Sequence, residues 1–336
     1  MATYDYTEAQ FSDKLDNAGV FSTAERDAIL DALQNAGILN NSSIAGDLIR
    51  TETLPAGNVS GSGEEVFFVE GGPTGPVTLD PADHAVIFST DDDVDVTINT
   101  AGNVSGKQIF ATGDGNDVIH STGTSSDFLL VADGDNYVSA GSGNDTVISG
   151  GGDDTVYGGA GSDTIEVAGG NNYIDGGNGS DTIVAAGGDD TVYGGSGDDE
   201  ITVGNGDNFV DAGTGSDYVS AGNGNDSILG GNGDDTIYGG GGDDTIIAGS
   251  GDDVVYIGEG NSSVSGGSGS DEFYLTGQGS STIQGGSGSD ELYVESFATT
   301  DIVSSSTVAG VTTVTFSNGD TLTYSEIETV KFSDQI

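Results

Sequence analysis

The chain has 336 residues, 60 of them glycine, no cysteine, and a formal charge of −51 at pH 7. Five Lys and Arg residues cannot neutralise phosphates, which argues against nucleic acid and anionic membranes as partners. No apolar run reaches the length of about eighteen residues needed to span a bilayer, so no membrane insertion is expected, and the lack of cysteine rules out disulfide stapling.

Residues 1–54 read as a helical segment. Met1-Ala2-Thr3-Tyr4-Asp5-Tyr6 has neither the basic region nor the apolar core of a cleaved leader. A first helix is expected over Glu8–Asn17, with Phe11 and Leu15 on one side and an end near Gly19. Ser22-Thr23-Ala24-Glu25 forms a capping box for a second helix. It carries Ala24, Ala28, Ala32 and Ala36 at four-residue spacing beside Ile29 and Leu33, and Gly37 is a suitable stop. The segment is expected to cap the first rung of a solenoid; a docking module for a partner or another copy is the alternative.

Residues 55–111 lack a glycine repeat but keep strand-like runs: Val66–Val69, Val77–Leu79, Ala85–Phe88 and the alternating Val94–Ile98. They are expected to form irregular first rungs. Asp91-Asp92-Asp93 reads as a solvated acidic turn, with an extra cation site as the alternative.

Residues 112–293 organise the chain. Thr122 to Tyr274 divides without a gap into seventeen nonapeptides, and three offset units (Thr112–His120, Thr276–Gln284, Gly285–Tyr293) bring the total to twenty. In Gly230-Gly231-Asn232-Gly233-Asp234-Asp235-Thr236-Ile237-Tyr238, glycine stands at places two and four, aspartate at six and an apolar residue at eight. Glycine admits backbone angles that let a turn curl and aim carbonyls inward, and each unit should comprise a six-residue turn and a three-residue strand with place eight inside. Oxygen-only ligands, paired carboxylates and flexible carbonyls suit calcium rather than zinc or copper. His120, at place nine of its unit, reads as an exposed strand residue.

After Tyr293, residues 294–336 turn into ordinary strands. Val311–Phe316 and Thr321–Tyr324 flank Ser317-Asn318-Gly319-Asp320, a hairpin signal, and Ile327, Val330 and Phe332 follow. The tail should block one open sheet edge.

The repeat resembles that of the RTX family, the glycine- and aspartate-rich proteins of bacterial type I secretion. The resemblance implies an all-β fold, a right-handed parallel β-helix (β-roll) in which two units make one turn, so that units eighteen residues apart stack. It also implies Ca2+ bound in multiple copies at the turns and an uncleaved secretion signal in the C-terminal tail.

Sorting place six by side gives two unequal edges. One carries Asp127, Asp145, Asp163, Asp181, Asp199, Asp217, Asp235, Asp253, Asp271 and Asp290 without interruption. The other runs Asp117, Asn136, Asp154, Asn172, Asp190, Asn208, Asp226, Asp244, Ser262 and Ser281. The fifteen aspartates are the expected calcium ligands. Asparagine keeps an oxygen but loses the charge, so the interrupted edge should be only partly metallated. Aromatics gather on its strands (Tyr137, Tyr157, Tyr173, Tyr193, Phe209), as an outward strip that either stabilises the sheet through cross-rung pairs or serves as a binding face.

No enzyme is expected. Neither His84 nor His120 begins an HExxH motif, and no Cys–His or Ser–His constellation is visible. The expected function is a secreted, calcium-dependent structural protein that folds outside the cell and self-assembles, end to end or laterally, into a filament, surface layer or biofilm matrix. The competing expectation is a monomeric binding module, a cell-surface or matrix polysaccharide adhesin or an ice-binding β-helix. For the ice-binding version a regular Thr-x-Asn row is missing. The apolar segments and acylated lysine region of pore-forming toxins have no counterpart.

Overall fold

A computed structural model describes residues 108–336 throughout. Before them it describes 2–4, 21, 24–25, 28–30, 32, 39–40, 43–44, 47–51, 57–59, 65–69, 77–79, 85–88, 90 and 92–98. The expected first helix, the capping-box residues Ser22 and Thr23, Leu33, Ala36, Gly37, His84 and Asp91 lie outside the described residues.

Two compact units divide the chain, Met1–Ile174 and Asp175–Ile336, and each is a parallel β-solenoid. In the first unit one sheet contains Asp47–Thr51, Glu65–Val69, Ala85–Phe88, Ile109–Ala111, Phe128–Val131 and Thr146–Ser149. The opposite sheet contains Gly57–Val59, Val77–Leu79, Asp95–Ile98, Val118–Ser121, Tyr137–Ser142 and Thr155–Ala160. Within the repeats pairing is parallel at an eighteen-residue offset, Val147 opposite Ile165 and Val138 opposite Val156. The second unit keeps this register, with Val210 opposite Ile228 and Ile237 opposite Val255. That offset is two nonapeptides, so successive copies of a side chain stand one above another.

Place eight is the core in every repeat, from Ile119 and Leu129 to Ile283 and Leu292, all buried. Truncating Ile237, which has no exposure, is expected to lower stability by about 2–5 kcal/mol in calcium; a midpoint unchanged in denaturant titration would show that the interior is not packed.

The division into a six-residue turn and a three-residue strand needs correction. Strands such as Thr155–Ala160, Phe209–Thr214 and Ser227–Asn232 run six residues, through places one to three of the next unit. Ladder bonds between the glycines there, as in the pairing of Gly213 with Gly231, keep the chain extended. In this unit positive φ falls at place four, in the turn, and at place two, within the strand: Gly233 (φ +122°) and Gly231 (φ +112°). A Cβ at either would strike the backbone carbonyl of the rung before, Gly215 or Gly213. On the interrupted edge place two can be alanine, as at Ala132, Ala168 and Ala186.

The N-terminal helical residues lie on a flank of the first unit. Ile29 and Ala32 are buried against Ala85, Ile87, Ile109, Ala111, Phe128 and Leu130. Those residues alternate along their strands with the interior-facing Val86, Phe110 and Leu129, so three neighbouring strands are covered on both faces.

The C-terminal strands continue both sheets of the second unit. Thr329–Phe332 pairs parallel with Glu291–Val294, and Thr321–Ser325 pairs parallel with Ser281–Ser287. The expected hairpin is present, Val311–Phe316 antiparallel to Thr321–Ser325. It does not leave the sheet without an edge, because Ile302–Val308 adds antiparallel to Val311–Phe316 and becomes the outermost strand.

Candidate metal centres

Place six is buried although it is charged. The fifteen aspartates named above are at most 2% exposed. One carboxylate oxygen is held by the backbone. Asp127 N–H donates to Asp145 Oδ1 at 2.6 Å, and Asp145 N–H to Asp163 Oδ1 at 2.7 Å. In the second unit Asp181, Asp199, Asp217, Asp235, Asp253 and Asp271 each donate an N–H to the carboxylate of the rung above, at 2.8–3.0 Å. The structure therefore brings consecutive place-six carboxylates together in each unit, as the sequence predicts. On the interrupted edge the same bonds link Asp117 to Asn136, Asn136 to Asp154, Asp190 to Asn208 and Asp226 to Asp244.

The second oxygen sets the chemistry. Oδ2 of Asp117, Asp199, Asp217, Asp226, Asp235, Asp244, Asp253, Asp271 and Asp290 is buried with no hydrogen-bond donor. A buried unpaired carboxylate oxygen is costly unless a cation or proton meets it. At Gly194 an added Cβ would stand 2.5 Å from the Ala212 carbonyl oxygen and 2.6 Å from Asp199 Oδ2. Gly230 repeats this with the Ala248 carbonyl at 2.5 Å and Asp235 Oδ2 at 2.6 Å. Carbonyl and carboxylate oxygens thus converge beside a glycine that leaves their cradle clear. Among the described residues no group of three or more His, Cys, Asp or Glu side chains gathers, so the remaining ligands of a cation would be backbone carbonyls. An all-oxygen donor set of this kind fits calcium.

Burial also shifts the carboxyls. Desolvation, reinforced by neighbouring carboxylates, raises Asp199, Asp235 and Asp253 to about 7 and Asp244 and Asp271 to about 6. Asp117 rises to about 7 by desolvation. Two ladder members differ: Asp127 accepts Ser121 Oγ at 2.6 Å and Ser125 Oγ at 2.7 Å, and Asp154 accepts Ser149 Oγ at 2.7 Å. Hydroxyls there meet carboxylate oxygens, where Oδ2 of Asp199, Asp235 and Asp253 has no donor.

A family model for the RTX calcium-binding nonapeptide repeat matches in overlapping copies across residues 130–298, half of the chain. The chain belongs to the RTX calcium-binding repeat family. A search of curated proteins returns no match. RTX repeats bind calcium, and the donor-free Oδ2 atoms are where these turns can receive it. The RTX β-roll makes this a calcium-dependent structural or binding protein.

Several site residues escape a reading of the RTX motif alone. Place five forms a second, exposed ladder running in the opposite sense: Asp153 N–H donates to Asp135 Oδ1 at 2.9 Å, and Asn225 N–H to Asp207 Oδ1 at 2.7 Å. The signal was present, since every unit carries Asp, Asn or Ser at place five. Glu328 ends the aspartate edge in the second unit, accepting Asp290 N–H at 2.7 Å; Glu328-Thr329-Val330 repeats the register of places six to eight. Asp92 and Asp93 are exposed, and Asp93 accepts Asn116 N–H at 2.9 Å, which fits the acidic-turn reading.

The strip on the interrupted side is half-buried rather than openly displayed. Tyr137–Tyr157 and Tyr157–Tyr173 pair with ring centroids 5.8 and 5.7 Å apart, and Tyr193–Phe209 at 5.8 Å. Such pairs stabilise the sheet. His120 is also half-buried, 5.0 Å from Tyr137. A closer row occupies the aspartate side of the second unit: Tyr238, Tyr256, Tyr274 and Tyr293 stack at 4.3, 4.9 and 4.7 Å. Glu272 and Glu291 accept the hydroxyls of Tyr274 and Tyr293, and Lys331 Nζ lies 4.5 Å over the Tyr293 ring. The signal for this row was tyrosine at place nine in consecutive units of one side.

Proposed function

We propose that this RTX protein is a secreted structural protein whose repeats fold on taking up calcium outside the cell and whose folded copies assemble with one another. RTX repeats occur in extracellular proteins of type I secretion, and among the described residues no helix is long and apolar enough to cross a membrane. Cytosolic calcium is too low to fill sites suited to extracellular modules, so the chain would stay unfolded and exportable until it meets millimolar calcium.

The observation that carries assembly is the edge strand Ile302–Val308. Its sequence, Ile-Val-Ser-Ser-Ser-Thr-Val, has no charge and no proline. Val303 and Val308 are 68% and 73% exposed, and Val311 beside them is 42% exposed. Soluble proteins protect such edges with lysine, proline or a covering element; this one offers unpaired backbone groups and valines to a second copy. Calcium would also lower the charge that keeps copies apart.

Light scattering and negative-stain microscopy in chelator and then in millimolar calcium test the proposal. Calcium is expected to convert an expanded monomer into filaments or sheets. Val303→Lys with Val308→Lys is expected to fold in calcium and remain monomeric. A wild-type protein that stays a compact monomer would overturn assembly and leave a monomeric binding module for a surface or matrix polysaccharide as the reading to pursue.

A further inference from the structure

The five interruptions of the aspartate pattern share one property: each is a hydrogen-bond donor turned onto a backbone carbonyl of the turns. Asn136 Nδ2 donates to the Ala132 and Gly134 carbonyls at 3.1 and 3.0 Å. Asn172 Nδ2 donates to the Gly170 carbonyl at 3.1 Å. Asn208 Nδ2 donates to the Gly204 and Gly206 carbonyls at 3.3 and 3.0 Å, and to Asp226 Oδ1 at 3.0 Å. Ser262 and Ser281 hydroxyls lie 3.4 Å from the Gly242 and Gly260 carbonyls of the preceding rung, a longer contact of the same sense.

The carbonyls met by the asparagines belong to places two and four of the asparagine's own turn. An aspartate at place six brings only acceptors to such carbonyls, and a cation reconciles them. An asparagine brings the missing positive end with it. Its Oδ1 meanwhile keeps the rung-to-rung bond, accepting Asp117 N–H at 2.9 Å at Asn136 and Asp190 N–H at 3.0 Å at Asn208. The amide thus does both tasks of a metallated aspartate at once.

We propose that Asn136, Asn172 and Asn208 are built-in substitutes for calcium: their amide groups close alternate turns of the interrupted edge, which therefore fold without an ion of their own. The inference rests on the calcium-binding reading of the repeats and goes beyond reduced affinity, because it assigns the amide the cation's place. The turns are spaced thirty-six residues apart, so from Asp117 to Asn172, and again from Asp190 to Asp226, no two carboxylates are neighbours on this edge.

The test is a calcium count per folded chain, by native mass spectrometry and equilibrium dialysis, for wild type, Asn136→Asp/Asn172→Asp/Asn208→Asp, Asn208→Ala and Asp226→Asn. The triple variant is expected to take up additional calcium, at most one ion per converted turn, and to need more calcium to reach half-folding. Asn208→Ala is expected to keep the wild-type count and lose thermal stability. Asp226→Asn is expected to fold with fewer ions, which keeps the test decisive should the triple variant fail to fold. Equal counts in wild type, the triple variant and Asp226→Asn overturn the inference while the calcium reading stands. A wild-type chain that takes up no calcium overturns both.

Discussion

Chelated at neutral pH, the protein is expected to lose its β-sheet circular dichroism and expand, and millimolar calcium is expected to restore it. The physical reason is concentrated at place six, where buried Oδ2 atoms of Asp199, Asp217, Asp235, Asp253 and Asp271 have no donor. The chain also carries a charge of −51, and its glycines lose more backbone freedom on folding than any other residue. Without cations, these costs are opposed mainly by the narrow apolar interior, one or two buried side chains per strand such as Ile201 and Val203. Acid should replace calcium in part. Burial lifts Asp199, Asp235 and Asp253 to about 7 from 3.8, so the folded calcium-free state holds protons that the unfolded chain releases. That contribution to stability is complete below pH 3.8 and is lost as pH rises toward 7. In chelator, β-structure should be largest near pH 4 and fall through about pH 6 to 7, and the calcium needed for folding should rise over the same range as the proton-held stability is lost. A chelated protein with an unchanged melting temperature at pH 7 would sink the calcium dependence.

Asp235→Ala on the continuous edge is expected to destabilise the calcium-bound protein far more than Asp226→Ala on the interrupted one. Asp235 stands between Asp217 and Asp253, both carboxylates, accepting the N–H of the first and donating to the second at 2.9 Å each. Asp226 has Asn208 on one side, whose amide already reaches Asp226 Oδ1 and its own turn carbonyls. Losing one ion at a hundredfold excess over its dissociation constant removes about 2.7 kcal/mol, and Asp235 borders two carboxylate pairs where Asp226 borders one. In chelator the order should vanish or reverse, because Asp235→Ala deletes a buried carboxylate whose charge only repels. Calcium-dependent melting curves of the two variants decide it; equal losses in calcium would remove the distinction between the edges.

The period, and through it the fold, is written in the residues alone. A nine-residue repeat with one apolar place forces identical residues into register, because only stacking of copies buries place eight. Val147 opposite Ile165 and the buried aspartate ladder follow directly. Glycine at place four was equally legible, since the φ of +122° at Gly233 is closed to other side chains. The unequal edges could be sorted by arithmetic alone.

Where a side chain's second hydrogen-bonding group goes is encoded by no repeat pattern and emerges only from the folded chain. The sequence shows asparagine where aspartate is expected and reads a lost charge; the fold shows the Asn136 amide on the Ala132 and Gly134 carbonyls. Place five looks like a polar surface position until stacking aligns Asp135 Oδ1 with the N–H of Asp153. Phe128-Leu129-Leu130-Val131 has no alternation, and packing of Ile29 and Ala32 with Phe128 and Leu130 explains why both of its faces are buried. Glu328 and the edge strand Ile302–Val308 lie beyond the repeat, where register is set by pairing with Glu291–Val294 and Val311–Phe316. Repetition dictates contacts between equivalent residues; contacts between unlike residues, which include the asparagine amides on turn carbonyls and the pairing of the edge strand Ile302–Val308, exist only once the chain has folded.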